Sequence, residues 1–386
     1  AYMKANHPVE FLAASMTLDM GNTDKLNVFR QELDRLGIPL LGPDINKSGV
    51  AFQVESANGR DKGIRYALAA LKNVGGGGMA GLVKEREQGG PFQDVSDFVL
   101  RLDTHLVNKR QLENLARAGA FDAFEPNRRR LFEGVEVLMR HANAAQSDRE
   151  SNQMGLFGGE AAPQMTLTLP EREDWPAMER LREEFDAIGF YLSAHPLDAY
   201  ASKLAAMGVK PSASLMPGSG TYPATLAGTL IAKKERSSAK GNRYAFIQFT
   251  DPSGVFEVTA FSETLAAAGD LLEVGNSLRL KVTVQAEDGD EVKLLANQFS
   301  SLEQVAAQTV ENLRILVSDQ DAIAAIQHIL SDQQPGRGRI RIDTRPLDAA
   351  WHADVELNRQ FNLSADAQLA LRALPGVIGV ETFDAR

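Results

Sequence analysis

The feature that most narrows the fold is a change of period near residue 222. Before it, apolar residues recur at helical spacing. "NTDKLNVFRQELDRLG" sets Leu26, Phe29, Leu33 and Leu36 on one stripe, with Asn22 or Thr23 able to cap its start and Gly37 where a C-terminal glycine belongs. From Tyr222 to about residue 305 the pattern turns to alternation. "YPATLAGTLIAKKERSSAKGNRYAFIQFTDPSGVFEVTAFSETL" and "LEVGNSLRLKVTVQAEDGDEVKLLANQFSSLEQV" read as five strands, with a helical piece between the third and the fourth. That order is an OB-fold, a small barrel whose strand face binds single strands. At 386 residues the chain exceeds one ordinary core, so a multidomain α+β architecture is expected.

Upstream of the barrel, "IRYALAALKNVGGGGMAGLVKERE" holds four consecutive glycines, Gly75 to Gly78. Inside a helix each would cost roughly 1 kcal/mol against alanine, so a turn between two helices is the expectation. A phosphate-binding P-loop would need Gly-Lys-Ser/Thr after a strand, and Met79-Ala80 stands here instead. A helix-hairpin-helix survives, in which N–H groups opening the second helix meet a duplex phosphate. A plain αα-hairpin explains the stretch equally well. In the first reading Gly75 and Gly77 approach the backbone, Val74 plugs the hairpin and Lys72 stands nearby. Lys109, Arg110, Arg128 and Arg129 supply further positive charge, and Phe98, Leu102, Leu106, Leu112, Leu115, Phe121 and Phe124 a core.

The net charge of −10 argues against nucleic acid until it is divided by segment. Residues 60–140 carry 14 Lys/Arg against 11 Asp/Glu, and residues 229–245 carry five against one. Local charge is what a phosphate feels within a Debye length of about 8–10 Å. In the barrel, Lys233, Arg236, Lys240, Arg243 and Tyr244 are the candidate single-strand contacts. Phe246, Phe249 and Phe256 divide between core and stacking in a way left open by the pattern.

Residues 141–175 are acidic, small and polar, and read as a linker, yet Met154, Leu156 and Phe157 crowd into "SNQMGLFGG" within it. Helical residues 176–215 follow as a connector. Beyond the barrel, residues 306–386 give a βαββαβ order, ferredoxin-like or a related two-layer domain, with eight basic against twelve acidic residues from Ser301 on. Protein contact suits that segment better than DNA.

Zero cysteines exclude disulfides and thiolate zinc sites and fit a reducing cytoplasm. No apolar run is long enough to cross a bilayer and no secretory signal is present, so no membrane partner is expected. Opening on Ala1 within a helical pattern, the sequence reads as a fragment of something larger. No catalytic residue and no metal ligand is assigned. His195 lacks a second histidine, serine elbow or carboxylate pair, and Asp288-Gly289-Asp290 is better explained as a hairpin turn than as a metal site.

Taken in order, "AYMKANHPVEFLAASMTLDM", "NTDKL", "GIPLLGPDIN", "LKNVG", "NKRQLENLARAGAFDAF", "NRRRLF", "RLREEFDAIGFYLSAHPLDAY" and "DPSGVFEVTAF" resemble the C-terminal portion of the C-family bacterial replicative DNA polymerases, the polymerase III alpha subunits. The resemblance covers essentially the whole sequence. It implies that residues 1–55 end a fingers domain, 56–140 form a helix-hairpin-helix module on duplex DNA, 216–305 form an OB-fold on single-stranded template, and 306–386 bind the clamp-loader tau subunit. It also implies that Gln153, Met154, Leu156 and Phe157 belong to a pentapeptide that engages the sliding clamp. Gly155 departs from the polar residue usual at the pentapeptide's centre. Buried in a clamp pocket, Leu156 and Phe157 would each gain about 1.5–3 kcal/mol, against roughly 1–2 kcal/mol per residue ordered. The polymerising carboxylates and their Mg2+ belong to a palm domain absent from the sequence, so no cofactor is expected here. A repair factor or ligase, or a non-replicative tRNA-binding module, also combines such parts. The bacterial NAD-dependent ligases carry a cysteine zinc site that a chain without cysteine cannot build.

Overall fold

A computed structural model describes residues 2–57, 61–154, 167–216, 220–237, 241, 243–286, 292–307, 312–319, 321–344 and 353–383. The chain divides into two compact units, Ala1–Ser193 and Ala194–Arg386, so the division falls inside the segment read as a connector.

The first unit opens with α1 (Tyr2–Asn6), α2 (Pro8–Leu18) and α3 (Thr23–Leu36). The cap of α3 is Asn22, whose side chain accepts from the Lys25 N–H at 3.1 Å, and Gly37 ends the helix in the left-handed region. Leu26 and Leu33 are buried, whereas Leu36 is 41% exposed. A three-stranded sheet follows: β1 (Leu40–Leu41) parallel to β3 (Asp61–Arg65), and β2 (Gln53–Ala57) antiparallel to it. The helix expected over "IRYALAALK" is therefore wrong. Ile64 and Arg65 end a strand whose apolar face fills the core, and only a 3-10 turn, Leu68–Ala70, precedes the glycines.

The glycine run departs from expectation too. Gly75 is the N-cap of α4 (Gly76–Gly89), and the other three glycines form its first turn. First-turn N–H groups have no intrahelical partner anyway. At Gly78 the reason for glycine is close approach, since a Cβ there would lie 2.5 Å from the Leu106 carbonyl oxygen.

Helices α5 (Val95–Arg101), α6 (Lys109–Arg117), α7 (Arg128–Met154) and α8 (Ala177–Ile188) complete the unit. The N-terminus of α6 is a capping box, with Gln111 N–H donating to Asn108 at 3.1 Å and Asn108 N–H to Gln111 at 2.8 Å. Phe98 meets Phe92 and Phe121 edge-on, with centroids 5.2 and 5.0 Å away, inside a core shared with Leu102, Leu112 and Leu115. Leu106, expected there, is 46% exposed. Helix α7 also runs on into the segment read as linker. Ala142 is fully buried, the Thr104 N–H donates to the Gln146 side chain at 2.9 Å, and Arg149 donates to the Leu102 carbonyl at 3.1 Å. On the far side of residues 155–166, Leu167 and Leu169 pack on the core, and Trp175 lies 5.5 Å from Phe132.

The second unit begins with a 3-10 turn, Pro196–Tyr200, and α9 (Ala201–Ala206). His195 caps the turn: its Nδ1 accepts from the Leu197 N–H at 3.1 Å, and its own N–H donates to Asp198 at 2.7 Å. The barrel comprises β4 (Tyr222–Ser237), β5 (Arg243–Asp251), β6 (Gly254–Phe261), β7 (Ser277–Ala286) and β8 (Val292–Ser301), closed in the order β4-β5-β6-β8-β7, with α10 (Ser262–Ala268) between β6 and β7. Phe249 stacks between Phe256 and Phe299 in its core, centroids 5.8 and 6.1 Å away. Gly228 makes room for that stack, since a Cβ there would lie 2.8 Å from Phe249 Cβ and 2.9 Å from Phe256. This is the OB-fold that the alternation predicts.

After α11 (Leu302–Ala307) come β9 (Leu313–Val317), α12 (Asp321–Ser331), β10 (Gln334–Gly338), β11 (Ile340–Thr344), β12 (Ala353–Glu356), β13 (Phe361–Asn362), α13 (Ala365–Ala373) and β14 (Val377–Thr382). The four-stranded sheet β12-β11-β9-β14 contains the βαββαβ order, and β10 with β13 forms an extra ribbon beside it. The pairing is not ferredoxin-like. In that fold the two parallel strands of the first βαβ unit are split by another strand, whereas β9 and β11 are directly hydrogen-bonded, Leu313 opposite Ile340.

Candidate nucleic-acid interface

Two surfaces, one in each unit, bring together residues suited to phosphates and bases. In the first unit the amino ends of α4 and α6 lie side by side. A Cβ on Gly75 would stand 3.2 Å from the Gln111 amide nitrogen, and one on Gly78 would stand 3.4 Å from it. Gly75, Gly76 and Gly77 are exposed, and so are Lys109 and Arg110 at the start of α6. Orphan N–H groups and the positive ends of two helix dipoles thus share one surface, which favours an anion.

The side chains named from sequence scatter around this surface. Arg110 has no ion-pair partner among the described residues, whereas Lys109 is held by Glu136 at 2.6 Å and Glu113 at 3.8 Å. Arg129 pairs with Glu133 at 2.8 Å. Val74 is 5% exposed and packs into the core of the unit. Lys72 lies against α8, its N–H donating to the Ala187 carbonyl at 2.8 Å and its ammonium 5.4 Å from the Phe185 ring. Burial pushes that ammonium below its ordinary value, against the pull of Asp186 and Asp24.

Arg128 corrects the sequence reading outright. It is 7% exposed and bonded to Asp122 at 2.8 Å, to Glu184 at 3.3 Å and to the Arg117 carbonyl at 3.1 Å. The other oxygen of Glu184 accepts from the N–H groups of Leu192 and Ser193 at 2.9 and 2.8 Å. Arg128 therefore ties the end of α6 to α8. A basic triplet in sequence does not reveal that one of its members turns inward.

On the barrel, cross-strand register sorts the cations into two sets. Residues directly opposite each other share a face. One face holds Lys233 beside Ile247, Glu235 beside Ala245 and Ser237 beside Arg243. There Glu235 bonds both cations, Arg243 closely and Lys233 at 3.4 Å, and hydrogen bonding from Arg243 holds its carboxyl below the usual range. The opposite face pairs Lys234 with Phe246 and Arg236 with Tyr244, and β6 continues it with Thr259 and Phe261. Arg236 lies 5.8 Å from the Phe246 ring, Tyr244 and Phe246 meet edge-on at 5.6 Å, and Phe261 is 54% exposed. Of the aromatics left open by sequence, Phe249 and Phe256 are core, and Tyr244 and Phe246 face outward. Lys234 and Phe261 were missed as candidates.

Gly155, Leu156, Phe157, Lys240 and Asp288-Gly289-Asp290 lie outside the described residues, while Gln153 and Met154 occupy the last turn of α7. Among the described residues no cluster of three or more His, Asp or Glu could hold a metal ion, and no helix is long and apolar enough to cross a membrane.

Residues 37–131 match a helix-hairpin-helix motif family, and residues 224–302 match a family of OB-fold nucleic acid binding domains. DNA polymerase III subunit alpha of Caulobacter vibrioides is 38% identical over 387 residues, 99% of this chain and 33% of the relative. The chain belongs to the DNA polymerase III alpha-subunit family. The Neisseria meningitidis relative is 33% identical over 86% of the chain and 29% of its own length, and that of Thermus aquaticus is 32% identical over 87% and 27%. The chain thus spans about a third of the length of the curated relatives it matches. Among solved structures, the mitochondrial single-stranded DNA binding protein Rim1 of S. cerevisiae aligns over 21% of this chain and 92% of its own at 17% identity, with a TM-score of 0.19, a likeness too slight to carry weight.

Proposed function

We propose that this chain is the DNA- and partner-binding region of a bacterial replicative polymerase, acting in the cytoplasm. The observation that carries the reading is the outward face of the closed barrel, where aromatic rings stand beside Lys234 and Arg236, which pair with no carboxylate among the described residues. Rings offer every base a π-face and cations neutralise the backbone, which is the chemistry of single-strand binding without sequence preference. The paired amino ends of α4 and α6 take a duplex phosphate in the same scheme.

Two partner roles complete the proposal. Gln153 to Phe157 engages the sliding clamp, and residues 306–386 bind the clamp-loader tau subunit. A weak peptide contact suits repeated release, and simultaneous DNA binding raises its effective concentration to about the millimolar range. Primer extension itself requires Mg2+ held by carboxylates, chemistry assigned to a palm domain outside this chain.

The test is titration of the whole chain with labelled single-stranded and duplex oligonucleotides over a range of salt. Binding to both is expected, with the logarithm of the single-strand affinity falling by about 0.7 per neutralised phosphate for each tenfold rise in salt. Absence of binding to either at low salt sinks the DNA assignment.

A further inference from the structure

Between α4 and the last turns of α7 the first unit holds a cleft of about 390 Å3, within the size range of sites that take a ligand or a partner's side chains. The DNA-binding roles leave it unused. We propose that this cleft is a second seat for the sliding clamp, taking one or two apolar side chains from a loop of the ring beside the segment that begins at Gln153. This rests on the clamp reading above and deepens it, adding a contact on folded surface to the one made by a peptide.

The cleft exists because α4 turns glycines towards it. Gly78 and Gly81 line it without side chains, and a Cβ on Gly81 would lie 2.5 Å from Leu106 Cδ1. Leu82, Phe98, Leu102 and Val107 make an apolar floor, each at most 5% exposed. Leu106 forms the lip and is 46% exposed, so apolar surface runs from the floor out to solvent.

The walls select an apolar guest over a phosphate. Arg101 donates from Nε to Glu85 at 3.1 Å, from Nη1 to Asp97 at 3.2 Å, and from Nη2 to the Glu85 and Gly90 carbonyls at 3.1 and 2.9 Å. Its guanidinium also lies 4.5 Å from the Phe92 ring. Most of its N–H groups are thereby engaged, so little is left for a charge-assisted bond to a phosphate. Over the whole lining, Lys84, Arg101 and Arg149 balance Glu85, Asp103 and Glu150, and no net charge draws a polyanion inward.

Position names the guest. The far wall of the cleft is α7 itself, through Gln146, Arg149 and Glu150. The bonds from Thr104 to Gln146 and from Arg149 to the Leu102 carbonyl fasten that wall to the lip. Gln153 follows Arg149 by four residues, about one helical turn. A clamp seated on the segment from Gln153 onward presents its own surface to the mouth of the cleft. Two contacts on one folded unit also fix the orientation of the ring, which a peptide alone leaves free to turn.

The experiment uses the whole chain, purified sliding clamp and a labelled duplex, with thermal unfolding to check folding. Leu106→Ser removes the apolar lip and should leave duplex affinity unchanged. Clamp binding should weaken roughly 4- to 12-fold, half the free energy of a fully buried leucine, because Leu106 is already half covered. The sequence has no cysteine, so Gln88→Cys carries a single environment-sensitive dye on the cleft wall. Its emission should shift to the blue as clamp is added and saturate where clamp binding saturates. Unchanged clamp affinity in Leu106→Ser with a silent dye removes the second seat; the peptide reading stands if replacing Gln153, Leu156 and Phe157 still abolishes binding. A dye that responds to that replacement with no clamp present also overturns the proposal, since the chain's own segment is then the guest. If the unaltered chain binds no clamp, both readings fall together.

Discussion

The three glycines that open α4 allow one surface to be tested for two properties at once. A Cβ on Gly76 or Gly77 meets nothing within 4 Å, and neither residue has positive φ. Alanine at either position should therefore stabilise the helix by about 0.5–1 kcal/mol through the entropy that glycine loses on folding. In a unit of this size that is about 2–4 °C of melting temperature per kcal/mol. Cα–Cβ bonds in a helix tilt towards its amino end, so the same methyls project towards an incoming phosphate. One charge-assisted hydrogen bond lost is about 1.5–3 kcal/mol, so Gly76→Ala with Gly77→Ala should weaken duplex affinity tenfold or more while raising stability. Gly78→Ala is the counterpart: its Cβ would lie 2.5 Å from a backbone oxygen, so it should destabilise by about 1–3 kcal/mol. Thermal unfolding and anisotropy against a short labelled duplex measure both quantities. A stabilised double variant with unchanged duplex affinity refutes the phosphate role of this surface.

Other consequences follow from the same contacts. Glu184→Ala leaves Arg128 and two N–H groups without their buried partner and should cost about 3–5 kcal/mol in urea unfolding. DNA affinity of the folded protein should be unchanged; a selective loss would return Arg128 to the interface. Gly228→Ala drives a methyl into the stack of Phe249 and Phe256 and should destabilise the barrel by about 1–3 kcal/mol, visible as earlier melting of near-ultraviolet circular dichroism. Replacing Gln153, Leu156 and Phe157 together by alanine should abolish binding to purified sliding clamp at about micromolar concentration, with DNA binding intact; equal clamp binding by both forms removes this peptide as the anchor.

Much of the barrel's face was legible in its parity. Ala245, Ile247 and Phe249 alternate with Tyr244, Phe246 and Gln248, and Phe256, Val258 and Ala260 alternate with Glu257, Thr259 and Phe261. The polar members of the second sets mark them as outward, so Phe261 could have been placed with Tyr244. The ion pairs could not, because Glu235 shares its face with Arg243 only through hairpin register. The polar end of α7 was illegible for another reason. Little in its composition demands a helix, and it is fastened by Gln146 and Arg149 to backbone more than forty residues earlier. The glycine run misled because propensity describes helix interiors, whereas Gly78 answers to a neighbouring carbonyl.

Helix α7 has a consequence of reach. Its 27 residues make a rod of about 40 Å, and the segment proposed for the clamp begins in its last turn. Phe157 stands only three residues beyond Met154, a span of at most about 10 Å even when fully extended. A ring holding Leu156 and Phe157 would have to come up against the tip of α7. The rod would act as a docking post: lengthening or shortening it by one turn would move the ring by about 5 Å along the axis and leave the peptide chemically unchanged.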